Sequence, residues 1–146
     1  MDSAIDHFQN LFNLSANNNG TKTSFDFLFI GELAKQLDLN PKTIRFYEDE
    51  GLINPKRHGA FRTFVNADVE RLKTIISLRQ MGINIATIKA LFKIDEHDSA
   101  KRFMISSFRQ HRDNLEKQMS TIESQLHETA HLIAKLEETQ QMKVAS

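Results

Sequence analysis

The stretch Gly31-Glu32-Leu33-Ala34-Lys35-Gln36-Leu37-Asp38-Leu39-Asn40-Pro41-Lys42-Thr43-Ile44-Arg45-Phe46-Tyr47-Glu48-Asp49-Glu50-Gly51 decides the fold. Leu33, Ala34 and Leu37 fall at helical spacing and predict a short helix with those residues inward. Asp38-Leu39-Asn40 reads as a turn. Asn40 can cap a second helix, and Pro41 suits its first position, where an N–H would be unpaired in any case. That helix should end near Glu50, stopped by Gly51. Two short helices joined by a tight turn form a helix-turn-helix. The second helix carries Lys42, Thr43, Arg45 and Tyr47, expected to share one polar face. Cationic forks and hydroxyls on such a face suit phosphates and base edges. The competing reading is a three-helix core whose exposed face is basic by chance.

Downstream, Leu52 to Phe64 is punctuated by Pro55 and Gly59 and flanked by Phe61 and Phe64, so a short hairpin fits better than a helix. It adds Lys56, Arg57 and Arg62. A basic hairpin beside a helix-turn-helix is a wing. Asn66 is expected to cap a longer helix to about Met81, with Val69, Leu72, Ile75 and Ile76 at turn spacing, and Gly82 stops it. Asn84 should cap a further helix, Ile85 to Lys93. Charge agrees with this reading. The whole chain balances nineteen basic against nineteen acidic residues, but Leu28 to Lys93 holds eleven basic and seven acidic. A locally basic, compact segment is the footprint of a polyanion binder.

From Ser99 onward the sequence has no Gly or Pro, and its apolar residues follow a heptad. The d positions are Phe108, Leu115, Ile122, Thr129 and Leu136; the a positions are Arg112, Met119, Leu126, Ile133 and Gln140. A stripe this narrow and this long is a coiled-coil seam that needs a partner, so a homodimer is expected. The dimerisation residues are Phe108, Leu115, Met119, Ile122, Leu126, Ile133 and Leu136. At the other end, Ile5, Phe8, Leu11 and Phe12 also fall at helical spacing, ahead of a polar tract, residues 15–24. The expected organisation is a flexible extension over residues 1–26, its apolar start either a frayed tail or a short amphipathic helix, then a winged-helix DNA-binding domain over 27–94, a dimerisation helix over 99–141, and a tail over 142–146.

Several function classes are excluded or disfavoured. The chain has no cysteine, which removes disulfides, thiolate metal sites, iron–sulfur clusters and cysteine nucleophiles together. No apolar run approaches the ~18 residues of a membrane span, and the acidic start Met1-Asp2-Ser3-Ala4-Ile5-Asp6 is the reverse of a secretory leader. A cytoplasmic protein without membrane contact is expected. His127-Glu128-Thr129-Ala130-His131 matches the zinc-protease pattern H-E-x-x-H. In the heptad, however, His127, Glu128 and His131 fall on the solvated side, with no third histidine after them. Neither catalysis nor a metal or cofactor site is expected.

These motifs together resemble the MerR family of bacterial transcription regulators. The similarity covers roughly Phe29 to Phe92 and the position of the long helix after it. Ile30-Gly31-Glu32-Leu33-Ala34 matches the family's first helix. Thr43-Ile44-Arg45-Phe46-Tyr47-Glu48 followed by Gly51-Leu52-Ile53 matches its hallmark, and Arg62, Asp68-Val69-Glu70-Arg71-Leu72, Leu78-Arg79-Gln80-Met81-Gly82-Ile83 and Ile88-Lys89-Ala90-Leu91 continue in register. The resemblance implies a mainly α fold: a winged helix-turn-helix, a second helix pair, and a long helix forming an antiparallel coiled coil between two subunits. It also implies a non-enzymatic regulator that bends and untwists palindromic promoter DNA so that RNA polymerase can engage it. By position it places Arg45 and Tyr47 on the recognition helix, Lys42 and Thr43 beside them, and Arg57 and Arg62 on the wing's phosphate contacts. Ala60-Phe61-Arg62 and Phe64 depart from the family's Gly-Tyr-Arg and following Tyr, so two phenol hydroxyls are missing and the wing tip should differ in shape. Members that sense metals use cysteines near the end of the dimerisation helix, which this chain lacks. With six residues after Gln140, no separate sensor domain is expected. The rival from another class is a coiled-coil adaptor or nucleoprotein assembly factor whose winged helix binds protein, or DNA without promoter activation.

Overall fold

The computed structural model describes residues 26–145; the amphipathic N-terminal segment and the polar tract read from the sequence lie outside them. The described residues divide into two compact units, with the boundary between Met104 and Ile105. The described elements are β1 (Leu28–Phe29), α1 (Ile30–Gln36), α2 (Pro41–Asp49), β2 (Lys56–His58), β3 (Phe61–Phe64), α3 (Asn66–Gln80), α4 (Ile85–Phe92) and α5 (His97–Ala145).

In the first unit, α1 and α2 are joined by a turn in which Asp38 takes φ 51°, a left-handed conformation that Asp tolerates better than most residues. Asn40 caps α2 as its sequence suggests, its Oδ1 accepting the Lys42 N–H at 2.9 Å. Asn84 does the same for α4 through the Thr87 N–H at 2.8 Å. The start of α3 differs from expectation. Asn66 is already helical, and Val65 occupies the cap position without an acceptor of its own. The Asp68 carboxylate reaches back instead and accepts the Val65 N–H at 2.9 Å. This is the acidic half of a capping box, which works without a polar cap residue.

The three strands form an antiparallel sheet in the order β1-β3-β2. Leu28 pairs with Phe64 and Phe29 with Thr63; across the hairpin, Lys56 faces Thr63, Arg57 faces Arg62 and His58 faces Phe61. The two-residue loop puts its positive φ on Gly59, at 61°, and none on Ala60. A tight hairpin with glycine at its first loop position tolerates an ordinary residue at the second. The departure at Ala60 therefore does not strain the tip. Strand β1 was not apparent in the sequence: two residues are too few to show alternation, and the strand exists by pairing with β3.

The core comprises Leu33, Ile44, Leu52, Phe64, Val69, Leu72, Ile75, Leu78 and Ile88, all essentially inaccessible to solvent. Each such side chain contributes about 1.5–3 kcal/mol on burial. Ala100 and Met104, on the opening turns of α5, are buried in the same unit. Two polar ties join the second helix pair to the helix-turn-helix. Arg71 Nε donates to the Leu52 carbonyl, and its guanidinium lies 4.1 Å from the centre of the Phe92 ring. Burial lowers the Arg71 pKa, opposed by the nearby Asp68 carboxylate. Lys89 Nζ meets Glu50 at 3.1 Å.

The second unit is the remainder of α5. Leu115, Met119, Ile122, Leu126, Ile133 and Leu136 are all exposed there, between 49% and 70%; Phe108 is half-buried. Two of the seam's polar members are satisfied within the helix. Thr129 Oγ1 donates to the Gln125 carbonyl at 2.7 Å, and Arg112 pairs with Asp113 at 2.7 Å and Glu116 at 3.8 Å.

Candidate nucleic-acid interface

Helix α2 sorts its side chains by turn spacing. Lys42, Arg45, Phe46 and Asp49 are exposed, at the i, i+3, i+4, i+7 positions of one face. Ile44 and Tyr47 are buried on the other, against the unit's core. Tyr47 thus departs from its expected place on the polar face: it is 6% exposed and acts chiefly as a core residue. Thr43 is half-buried beside it. Phe46 takes the exposed place instead, its ring 5.8 Å from that of Tyr47. The helical period could have found this exchange, since position 46 lies one turn from Lys42 and position 47 lies one turn from Thr43.

The hairpin supplies the remaining cations. Lys56, Arg57 and His58 are exposed along β2. Lys42, Arg45 and Lys56 make no side-chain hydrogen bond or ion pair among the described residues. Arg57 and Arg62 differ. Both reach Glu48, on the last turn of α2: Arg62 Nε donates to Glu48 Oε2, and Arg57 Nη2 lies 3.7 Å from Glu48 Oε1. Glu48 belongs to the hallmark motif, but nothing in its sequence neighbourhood points to these partners. A carboxylate fourteen residues from its partner shows no local pattern.

On the outer face of the sheet, Phe29 and Phe61 meet edge to face at 6.0 Å. Phe27 meets Phe29 at 5.4 Å and stacks on His58 at 6.1 Å. Phe61 replaces a family tyrosine and is well exposed, so this rim of the wing offers rings and cations but no phenol. Further along, His127, Glu128 and His131 are exposed on α5. No group of three or more potential metal ligands is assembled among the described residues, and none of their helices is long and apolar enough to cross a membrane.

A helix pair packed on a small core, a basic hairpin and an exposed cationic helix face define a winged helix-turn-helix. Residues 29–93 match the model of the MerR HTH family regulatory proteins. The HTH-type transcriptional regulator ZntR homolog of Haemophilus influenzae is 32% identical over 119 residues, spanning 80% of this chain and 84% of that protein. The chain belongs to the MerR family, and it is a DNA-binding transcription regulator, not an enzyme. ZntR of Escherichia coli is 39% identical over 67 residues, which span 44% of this chain and about half of that protein (48%). A solved structure of a Listeria monocytogenes protein assigned to the MerR family shares the fold, with a TM-score of 0.57 and 24% identity over 80% of this chain and 97% of that one.

Proposed function

We propose that the protein is a cytoplasmic homodimer that binds palindromic promoter DNA and regulates transcription by bending and untwisting it toward RNA polymerase. The observation that carries this reading is that Lys42 and Arg45 on α2 and Lys56 on the hairpin are exposed and without side-chain partners among the described residues, while Glu48 ties the hairpin's Arg57 and Arg62 to the same helix. Unpaired cations on one helix face and its adjoining hairpin suit a duplex groove and its flanking phosphates. Thr43 and the edge of Tyr47 play at most a lesser part at this surface. The uncovered seam from Phe108 to Leu136 supplies the second copy, in an antiparallel coiled coil. Two heads on one dimer account for a palindromic site, and deformation of the DNA between half-sites carries the regulatory output at about 1–10 kcal/mol.

The test is quantitative binding to a duplex selected by the protein from a random pool. Arg45→Ala should weaken that complex by ~1–3 kcal/mol and relax preference at one base position if the side chain reads a base. Lys56→Ala should weaken binding to all sequences alike and reduce the salt slope by about one phosphate contact. An affinity indifferent to salt, with Arg45→Ala silent, contradicts DNA binding and favours the protein-binding adaptor.

A further inference from the structure

The structure assigns Glu48 as a positioning residue that holds the two wing arginines ready for phosphate and thereby sets the margin between specific and non-specific DNA. This inference rests on the DNA-binding reading above and gives the Glu48 carboxylate a role in that reading's specificity.

The hairpin register creates the need. Arg57 and Arg62 are direct cross-strand partners, and like charges placed opposite each other destabilise a hairpin. No acid on the hairpin itself relieves them, because Lys56 to Phe64 contains none. The compensating carboxylate comes from α2. One oxygen of Glu48 takes the Arg62 Nε–H and the other faces the Arg57 guanidinium. The Glu48 and Arg62 side chains are only 20% and 25% exposed, whereas Arg57 is 51% exposed. The pair at the inner end is thus shielded from solvent, and Arg57 is the outer, wet member.

Three consequences follow from this arrangement. The triad keeps a net positive charge, so it still attracts phosphate. Glu48 engages Arg62 through Nε, and no other protein acceptor holds that guanidinium among the described residues, so its remaining N–H donors are uncommitted. Finally, Glu48 shares α2 with Lys42 and Arg45. The carboxylate therefore registers the hairpin's cations against those of the recognition helix, and ion-paired hydrogen bonds of this kind are roughly twice as strong as neutral ones. Ordering the arginines before binding lowers the cost of ordering them on the DNA. A site that fits both sets of cations benefits, whereas a random duplex, held by charge alone, does not.

E48Q tests the assignment, since it keeps the shape and removes the charge. The probes are a duplex selected by the wild-type protein from a random pool and a scrambled duplex of the same composition, with melting temperature and salt dependence measured alongside. The expected result is a fall of about 5- to 30-fold in affinity for the selected duplex, with affinity for the scrambled duplex unchanged or raised, because the surface gains one positive charge. A parallel fall on both duplexes, tracking a lower melting temperature, overturns the assignment and leaves Glu48 a stability residue. Unchanged or improved discrimination overturns it as well. If the E48Q chain does not fold, E48D gives the reading: it keeps the charge on a shorter arm, and loss of discrimination without loss of overall DNA affinity is expected, with retained discrimination contradicting the assignment. A wild-type protein that cannot separate the two duplexes fails the DNA-binding reading itself and removes this inference with it.

Discussion

Leu72 and Leu126 are the same side chain in two regular helices, yet Leu72 is wholly buried and Leu126 is 65% exposed. Leu72 belongs to a head whose helices and small sheet cover one another's apolar faces. Leu126 lies on a helix that, from Ile105 onward, has no other element of its own unit to cover it. An isolated helix gains little from propensity alone, and most helical stability comes from packing an apolar face. The contrast teaches that one chain holds both a finished domain and a helix whose apolar side chains lack cover. In the proposed function the head carries recognition and the long helix receives a second chain.

The largest effect should come from attacking the unfinished side. Leu126→Asp puts a charge into the proposed seam of both copies, and each unpaired buried charge costs about 3–5 kcal/mol. Sedimentation should then show monomers at concentrations where the wild type is paired, while the head keeps its near-ultraviolet spectrum. If Leu126→Asp leaves the dimer intact, the seam lies elsewhere.

The converse substitution attacks the finished side. Leu72→Ala removes a fully buried side chain and should cost ~2–5 kcal/mol of head stability. Calorimetry should show the head transition moving to lower temperature, with chain association at low temperature unchanged. A shift of both properties together would show that the two units are not energetically separate.

The smallest effect belongs to a helix start. Asn40→Ala deletes the cap on α2 and should cost about 1 kcal/mol. Because α2 carries Lys42 and Arg45 near that end, DNA affinity should fall slightly more than stability alone explains. Equal losses would mean that the cap serves folding only.

The elements that declare themselves locally were legible in the sequence. Asn40-Pro41 and Asn84 announce helix starts through chemistry confined to a few residues, and both cap as read. The run without Gly or Pro from Ser99 onward announced one long helix, and α5 spans His97–Ala145; the heptad on it remains the basis of the proposed seam. What stayed hidden depends on partners distant in sequence. Strand β1 has no periodicity of its own and pairs only because β3 lies beside it. Val65 displaced Asn66 as the cap because the carboxylate that closes the box sits three residues on. At the candidate site, residue types were legible and orientation was less so: Arg45 and Lys42 face solvent, while Tyr47 turned inward and Phe46 outward. Glu48 was invisible as a partner of Arg57 and Arg62, because only the folded hairpin brings it between them.

The most direct test is the number of chains per selected duplex, measured by sedimentation equilibrium of the full-length protein with and without that DNA. The account predicts a species of twice the chain mass in the absence of DNA and two chains on each duplex in its presence. A single chain bound per duplex, or a free protein that stays monomeric at concentrations well above its DNA dissociation constant, would contradict it.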